Sequence, residues 1–154
     1  MSREVLEEVV WRDPPLLHVD EPVESAVRRI LDTTLPALPV VDDRERLAGI
    51  FGEREFIEAV FPGYLGQLRH TAFVPRSLDA VLEKRQACRT EPVSRHMNRE
   101  HIRVGPESSD TQIAEIFLHH RVLIIPVVDG GTVTGVVTRH GFFTAAAERF
   151  LGGG

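Results

Sequence analysis

A chain of 154 residues with 42% hydrophobic and 27% charged residues can bury a core of its own without metal or disulfide staples. Its formal net charge of −5 excludes the basic excess that a nucleic-acid surface requires. The single cysteine, Cys88, excludes an internal disulfide framework and suits a reducing compartment.

In chain order, the acidic start "MSREVLEEVVWRD" lacks the basic head and apolar core of a secretion signal. The longest apolar run, Val122 to Val128, contains a proline and falls far short of the ~20 residues that cross a bilayer. A cytoplasmic chain with no membrane attachment is therefore expected. "LLHV" at 16–19 predicts a short strand, and Val23, Ala26, Val27, Ile30 and Leu31 recur with the spacing of one face of an α-helix. "ALPVV" and "LAGIF" predict two strands around a polar turn at Asp42-Asp43, and Phe56, Ile57, Val60 and Phe61 predict a second helix.

Residues 62–91 form an inter-repeat segment. With Tyr64, Leu65, Leu68, Phe73 and Val74 beside Phe61, it is too apolar for a loose linker. Ser77 followed by Leu78, Val81, Leu82 and Arg85 predicts a capped amphipathic helix. Its stripe must cover this module, a second subunit or an effector protein, while Arg69 and His70 either reach into a cleft or, as is commoner near a turn, stay solvated. From "VSRHMN" at 93–98 the pattern begins again: "HIRV" as a strand, then a Ser109–Gln112 capping box opening a helix with Ile113, Ile116, Phe117 and His120 on its apolar face. Strands "LIIPVV" and "TVTGVV" flank Asp129-Gly130-Gly131, and a last helix carries Phe142, Phe143, Ala146 and Phe150.

These two halves are copies. "LPALPVVDDRERLAGIFGEREFIEAV" at 35–60 aligns with "RVLIIPVVDGGTVTGVVTRHGFFTAA" at 121–146 with one residue fewer in the turn. Pro39 and Pro126 lie 87 positions apart, as do Val10 and Met97, and Leu17 and Val104; past the turn the spacing is 86, pairing Gly49 with Gly135 and Phe56 with Phe142. The predicted architecture is mixed α/β (α+β): two repeats of strand-helix-strand-strand-helix, over 5–61 and 92–151, packed about a pseudo-twofold axis.

The "PVVD…GIFGERE" and "PVVD…GVVTRHG" motifs, with the "VSRHMN" lead-in, resemble a tandem pair of cystathionine-β-synthase (CBS) domains, the Bateman module. The resemblance implies a regulatory or sensing module that binds AMP, ADP, ATP or S-adenosylmethionine in clefts between the copies, without an obligatory cofactor, and that associates as a homodimer. Mapped onto this sequence, Thr138 matches the phosphate-side threonine, with Arg139 and His140 as further donors, but Gly141 stands where the ribose-binding aspartate belongs. In the first copy Glu55 keeps the acid and Arg54 adds a guanidinium, while Gly52 replaces the threonine. The apolar wall would come from Val19, Leu38, Pro39, Ile102, Val104, Ile124 and Pro126.

A phosphate is favoured at such a helix start because unpaired N–H groups and the helix dipole both attract an anion. Thr138 is equally suited to cap its helix, and Glu55 suits any first helical turn. The split motif also leaves room for a ligand-free dimerisation or protein-interaction module. No nucleophile-base pairing, paired-carboxylate motif or phosphate loop is visible, so no enzyme is expected. Nor is a metal site: His119 and His120 point about 100° apart on a helix, and no Cys/His spacing resembles zinc ligation. His120 is expected at the core edge, His119 at the surface and Cys88 as a small side chain near a helix end.

Overall fold

The computed structural model describes residues 5–61, 76–100 and 102–152. The first repeat runs α1 (Val5–Val9), β1 (Trp11–Arg12), β2 (Leu17–His18), α2 (Val23–Leu31), β3 (Ala37–Val41), β4 (Leu47–Gly52) and α3 (Glu53–Val60). The connection holds α4 (Leu78–Lys84) and two 3₁₀ turns, Gln86–Thr90 and Val93–Arg95. The second repeat runs α5 (Asp110–His119), β5 (Ile124–Asp129), β6 (Thr132–Thr138) and α6 (Arg139–Phe150). No helix among the described residues is long and apolar enough to cross a membrane.

Local chemistry places α2 to α6 and their hairpins where the sequence predicts them, whereas α1 and β1 were not predicted. α5 opens on a complete capping box between Ser109 and Gln112, and the Ser77 hydroxyl of α4 accepts from Ala80 N–H at 3.2 Å. The two hairpin turns reach the same reversal differently. Asp42 accepts from the N–H groups of Arg44 and Arg46 at 2.8 and 3.0 Å, with Glu45 at φ 60°. Gly130 and Gly131 lie at φ 60° and 86°, the left-handed pair that a two-residue hairpin needs, which accounts for the residue missing from the second copy.

Each β-hairpin is antiparallel, and each gains a parallel neighbour from its own repeat. Leu17 pairs with Val40 in the first copy and Val104 bridges Val127 in the second. "HIRV" thus supplies one bridging residue where "LLHV" supplies a short strand. On the other edge the repeats exchange their lead-ins. Trp11 and Arg12 of the first repeat pair with Val136 and Gly135 of the second. Asn98 of the second pairs with Ile50 of the first through reciprocal bonds of 3.0 and 2.8 Å.

The main core follows this exchange. Leu17, Leu38, Val40 and Phe51 pack with Ile124 and Val136 of the other copy, and a second cluster gathers Leu6, Ile113, Ile125 and Val137. Strands β3 and β5 read as near-continuous apolar runs because both of their faces are covered. The predicted helix faces are only partly used. Leu31 is 77% exposed at the end of α2, and Phe143 and Phe150 are 63% and 88% exposed on α6, where Phe142 turns inward to meet Phe117 at 5.9 Å. On α4 only Val81 is buried, so the expected stripe narrows to one anchor. Tyr64, Leu65, Leu68, Arg69, His70, Phe73 and Val74 lie outside the described residues.

Candidate functional site

The last strand of each repeat runs directly into its last helix, so α3 and α6 begin at equivalent places. Glu53 N–H donates to Pro36 O at 2.9 Å, and Arg139 N–H donates to Leu123 O at 3.1 Å. Between these starts lies a shallow cleft of ≈ 550 Å3 lined by Pro36, Glu53, Leu123, Arg139, His140 and Phe143. Thr138 caps α6: its hydroxyl accepts from Gly141 N–H at 2.9 Å, which leaves the hydroxyl proton to give to an acceptor. Arg139 and His140 are exposed, and the His140 ring lies 6.4 Å from that of Phe143.

The equivalent position in the first copy cannot hold a threonine. A Cβ on Gly52 would lie 2.3 Å from the Ala37 Cβ and 2.4 Å from the Pro36 carbonyl oxygen. The glycine is thus a steric requirement of the β3–β4 approach.

A second constellation forms around α3. A cleft of ≈ 580 Å3 is lined by Arg54, Glu55 and Glu58 of α3, by the exchanged lead-in Met97–Glu100, and by His119–Val122 at the end of α5. Arg54 spans it, donating from Nη1 to Arg121 O at 2.9 Å and from Nε to Glu58 at 3.3 Å. Glu55 is 6% exposed, and burial raises its carboxyl pKa, opposed by hydrogen bonds from the backbone N–H groups of Glu55 itself and Gly52. Arg121 is exposed, and among the described residues no hydrogen bond or ion pair engages its guanidinium. The cleft therefore joins one buried carboxyl group to a rim of mixed charge, in which Arg54, Arg99, His119, His120 and Arg121 stand beside Glu58 and Glu100.

The structure separates the predicted ligand residues into groups. Arg54 and Glu55 line one cleft, and Arg139 and His140 line the other beside Thr138. Leu38, Pro39 and Ile124 are fully buried, Val104 and Pro126 are buried, and Val19 packs half-buried against the first core. Ile102 is half-buried and lines neither cleft. Leu38, Pro39, Val104, Ile124 and Pro126 thus belong to the buried interior and line neither cleft.

His120 departs from expectation. Helix α5 ends at His119, and His120 continues in extended backbone (φ −129°, ψ 143°), which turns it from the core edge to the exposed rim. Asn98, His119 and Arg121 were not singled out as ligand residues from the sequence. One signal was present: the repeat spacing aligns His119, His120 and Arg121 with Asp32, Thr33 and Thr34, so the charge at this place changes sign between copies.

The CBS domain family model matches residues 6–62 and 93–148, the two repeats in turn. The chain belongs to the CBS domain family. Solved CBS structures share its architecture nearly end to end. The CBS-pair protein CBSX2 from Arabidopsis thaliana is 18% identical, with 97% of each chain covered and a TM-score of 0.71. The crystal structure of CBSX2 in complex with AMP matches at 18% identity, 96% of this chain, 98% of that one and a TM-score of 0.67. The CBS-domain containing protein ATU1752 from Agrobacterium tumefaciens is 22% identical over 92% of this chain and 90% of its own, with a TM-score of 0.69. At such identities the likeness establishes the fold, and the protein is a CBS-pair regulatory module.

Proposed function

We propose that this CBS pair is a sensor that takes an adenosine-containing ligand, AMP, ADP, ATP or S-adenosylmethionine, in its inter-repeat cleft and alters its dimer or partner contacts in response. The observation that carries the proposal is the mixed chemistry around Glu55. A carboxyl group suits ribose hydroxyls, and the nearby rim of Arg54, His119, His120 and Arg121 suits a phosphate. Arg139, His140 and the Thr138 hydroxyl offer a second anion-binding edge in the shallow cleft. The AMP complex of CBSX2 supports the choice of ligand class.

Calorimetry and thermal unfolding with AMP, ADP, ATP and S-adenosylmethionine test the reading. Saturable heat for at least one ligand, weakened by Arg121→Ala, is expected. Absence of heat and of any thermal shift at millimolar ligand overturns it.

A ligand-independent dimerisation or interaction module is the second reading, favoured by the exposed apolar side chains Leu118, Phe143, Phe150 and Leu151 on and after α5 and α6. In that case Phe150→Glu disrupts a homodimer whose stability nucleotides leave unchanged. An effector protein reaching residues 62–91 belongs to the same reading.

A further inference from the structure

Away from both clefts, the end of the inter-repeat connection gathers three metal-ligating side chains. Cys88 lies in the 3₁₀ turn Gln86–Thr90, Glu91 follows it, and His96 ends the turn Val93–Arg95. Cys88 is 5% exposed, and the side chains of His96 and Glu91 are 14% and 24% exposed. Cys88 Sγ lies 3.7 Å from His96 Nε2, and His96 Nε2 lies 3.0 Å from Glu91 Oε1. One ligand atom from each of the three lies within 4.8 Å of the others. Tetrahedral zinc, with bonds of about 2.0 to 2.3 Å, sets its ligand atoms roughly 3 to 4 Å apart.

We propose that Cys88, Glu91 and His96 form a binding site for a zinc-class divalent ion, with three protein ligands and a fourth position for water. The donor set decides the class of ion: a thiolate with an imidazole selects zinc and its neighbours over magnesium or calcium, which take oxygen ligands. The surroundings are arranged compatibly. Arg95 Nη1 donates to the second Glu91 oxygen at 2.5 Å and orients the carboxylate. The other nearby cations have acceptors of their own: Arg85 donates twice to Ala59 O at 3.1 and 2.9 Å, and Arg89 pairs with Glu24 at 3.2 Å. Cys88 also lines an open groove of ≈ 580 Å3 with Val27, Phe56 and Leu82, a route for an ion to enter.

No metal site is expected from the sequence, where no Cys/His spacing resembles zinc ligation; two short turns, not one helix or knuckle, bring Cys88, Glu91 and His96 together. The same three atoms without an ion make a plain hydrogen-bonded cluster, so the test must report on the thiolate. An ion here braces the connection against His96, adjacent to the lead-in Met97–Glu100 that borders the Glu55 cleft.

Cobalt(II) titration of the intact chain provides that test. The chain has one cysteine, so any thiolate-to-cobalt charge-transfer band reports Cys88. The expected result is such a band at one equivalent of cobalt, with tetrahedral visible absorption, and its displacement by zinc. Cys88→Ser removes the band, while His96→Ala and Glu91→Gln weaken binding at least about tenfold, with circular dichroism confirming the fold of each variant. No charge-transfer band in the wild-type chain at stoichiometric cobalt overturns the proposal whatever the variants do. A band that His96→Ala leaves unchanged overturns it as well.

Discussion

Gly49 and Gly135 hold equivalent positions in the two repeats, each pressed against the lead-in of the other. A Cβ on Gly49 would lie 2.7 Å from the Asn98 carbonyl oxygen, and one on Gly135 would lie 2.9 Å from that of Trp11. Backbone occupies the space that a side chain would need. Gly49→Val and Gly135→Val are each expected to push a lead-in off its strand and cost about 1 to 3 kcal/mol or more. Urea denaturation measures this, and an unchanged midpoint for both variants would mean that the exchanged strands contribute nothing to stability.

Gly52→Thr, the change that restores the family motif in the first copy, should damage the protein. The clash with Ala37 and Pro36 leaves no room for the added side chain, so a loss of about 1 to 3 kcal/mol is expected, without any gain in nucleotide affinity. Gly141→Asp meets only the Thr138 hydroxyl, 2.8 Å from its Cβ, and is expected to be milder in the same denaturation assay.

Thr138→Ala removes the α6 cap and is expected to cost about 1 kcal/mol, with Thr138→Ser largely retaining it. If the hydroxyl serves only as a cap, nucleotide affinity stays constant in calorimetry while the melting temperature falls. A phosphate contact lowers both.

Glu55 gives a pH signature. Burial lifts its carboxyl above the ordinary value of 4.5, so between the unfolded and folded values the folded state binds more protons. The contribution of Glu55 to stability therefore falls as pH rises through that interval. Glu55→Gln removes the dependence: its stability relative to wild type should increase from about pH 4.5 upward and then level off. Melting temperatures of the two proteins across pH 4 to 8, taken as a difference, cancel the other titrating groups. A difference that shrinks with rising pH contradicts the assignment.

Arg121→Ala tests the rim of the Glu55 cleft with little structural cost, because the side chain is exposed. Loss of a hydrogen bond to a charged group costs about 1.5 to 3 kcal/mol, a factor of roughly 10 to 100 in affinity. AMP binding is expected to weaken by that factor while the melting temperature of the free protein is unchanged. Equal affinity in wild type and variant removes Arg121 from the site.

The duplication, the helix-strand-strand-helix order within each copy and the helix caps were readable along the chain, because hydrophobic period, turn chemistry and caps such as Ser77 and Ser109 act over a few residues; the opening α1 and β1 were not. The family resemblance, not local chemistry, exposed the split motif, with Glu55 in one copy and Thr138 in the other. What lay beyond it were contacts between residues 15 to 66 positions apart. The sequence contains no local sign that Asn98 pairs with Ile50, that Ala37 bars a side chain at Gly52, or that Arg121 closes a rim around Glu55. The Gly52 clash comes from the close β3–β4 register and the other two from the repeats packing together and trading edge strands, which set distances that no periodicity encodes. His120 shows the limit at its smallest scale: its apolar spacing is helical, but the chain leaves the helix one residue too early for that spacing to apply.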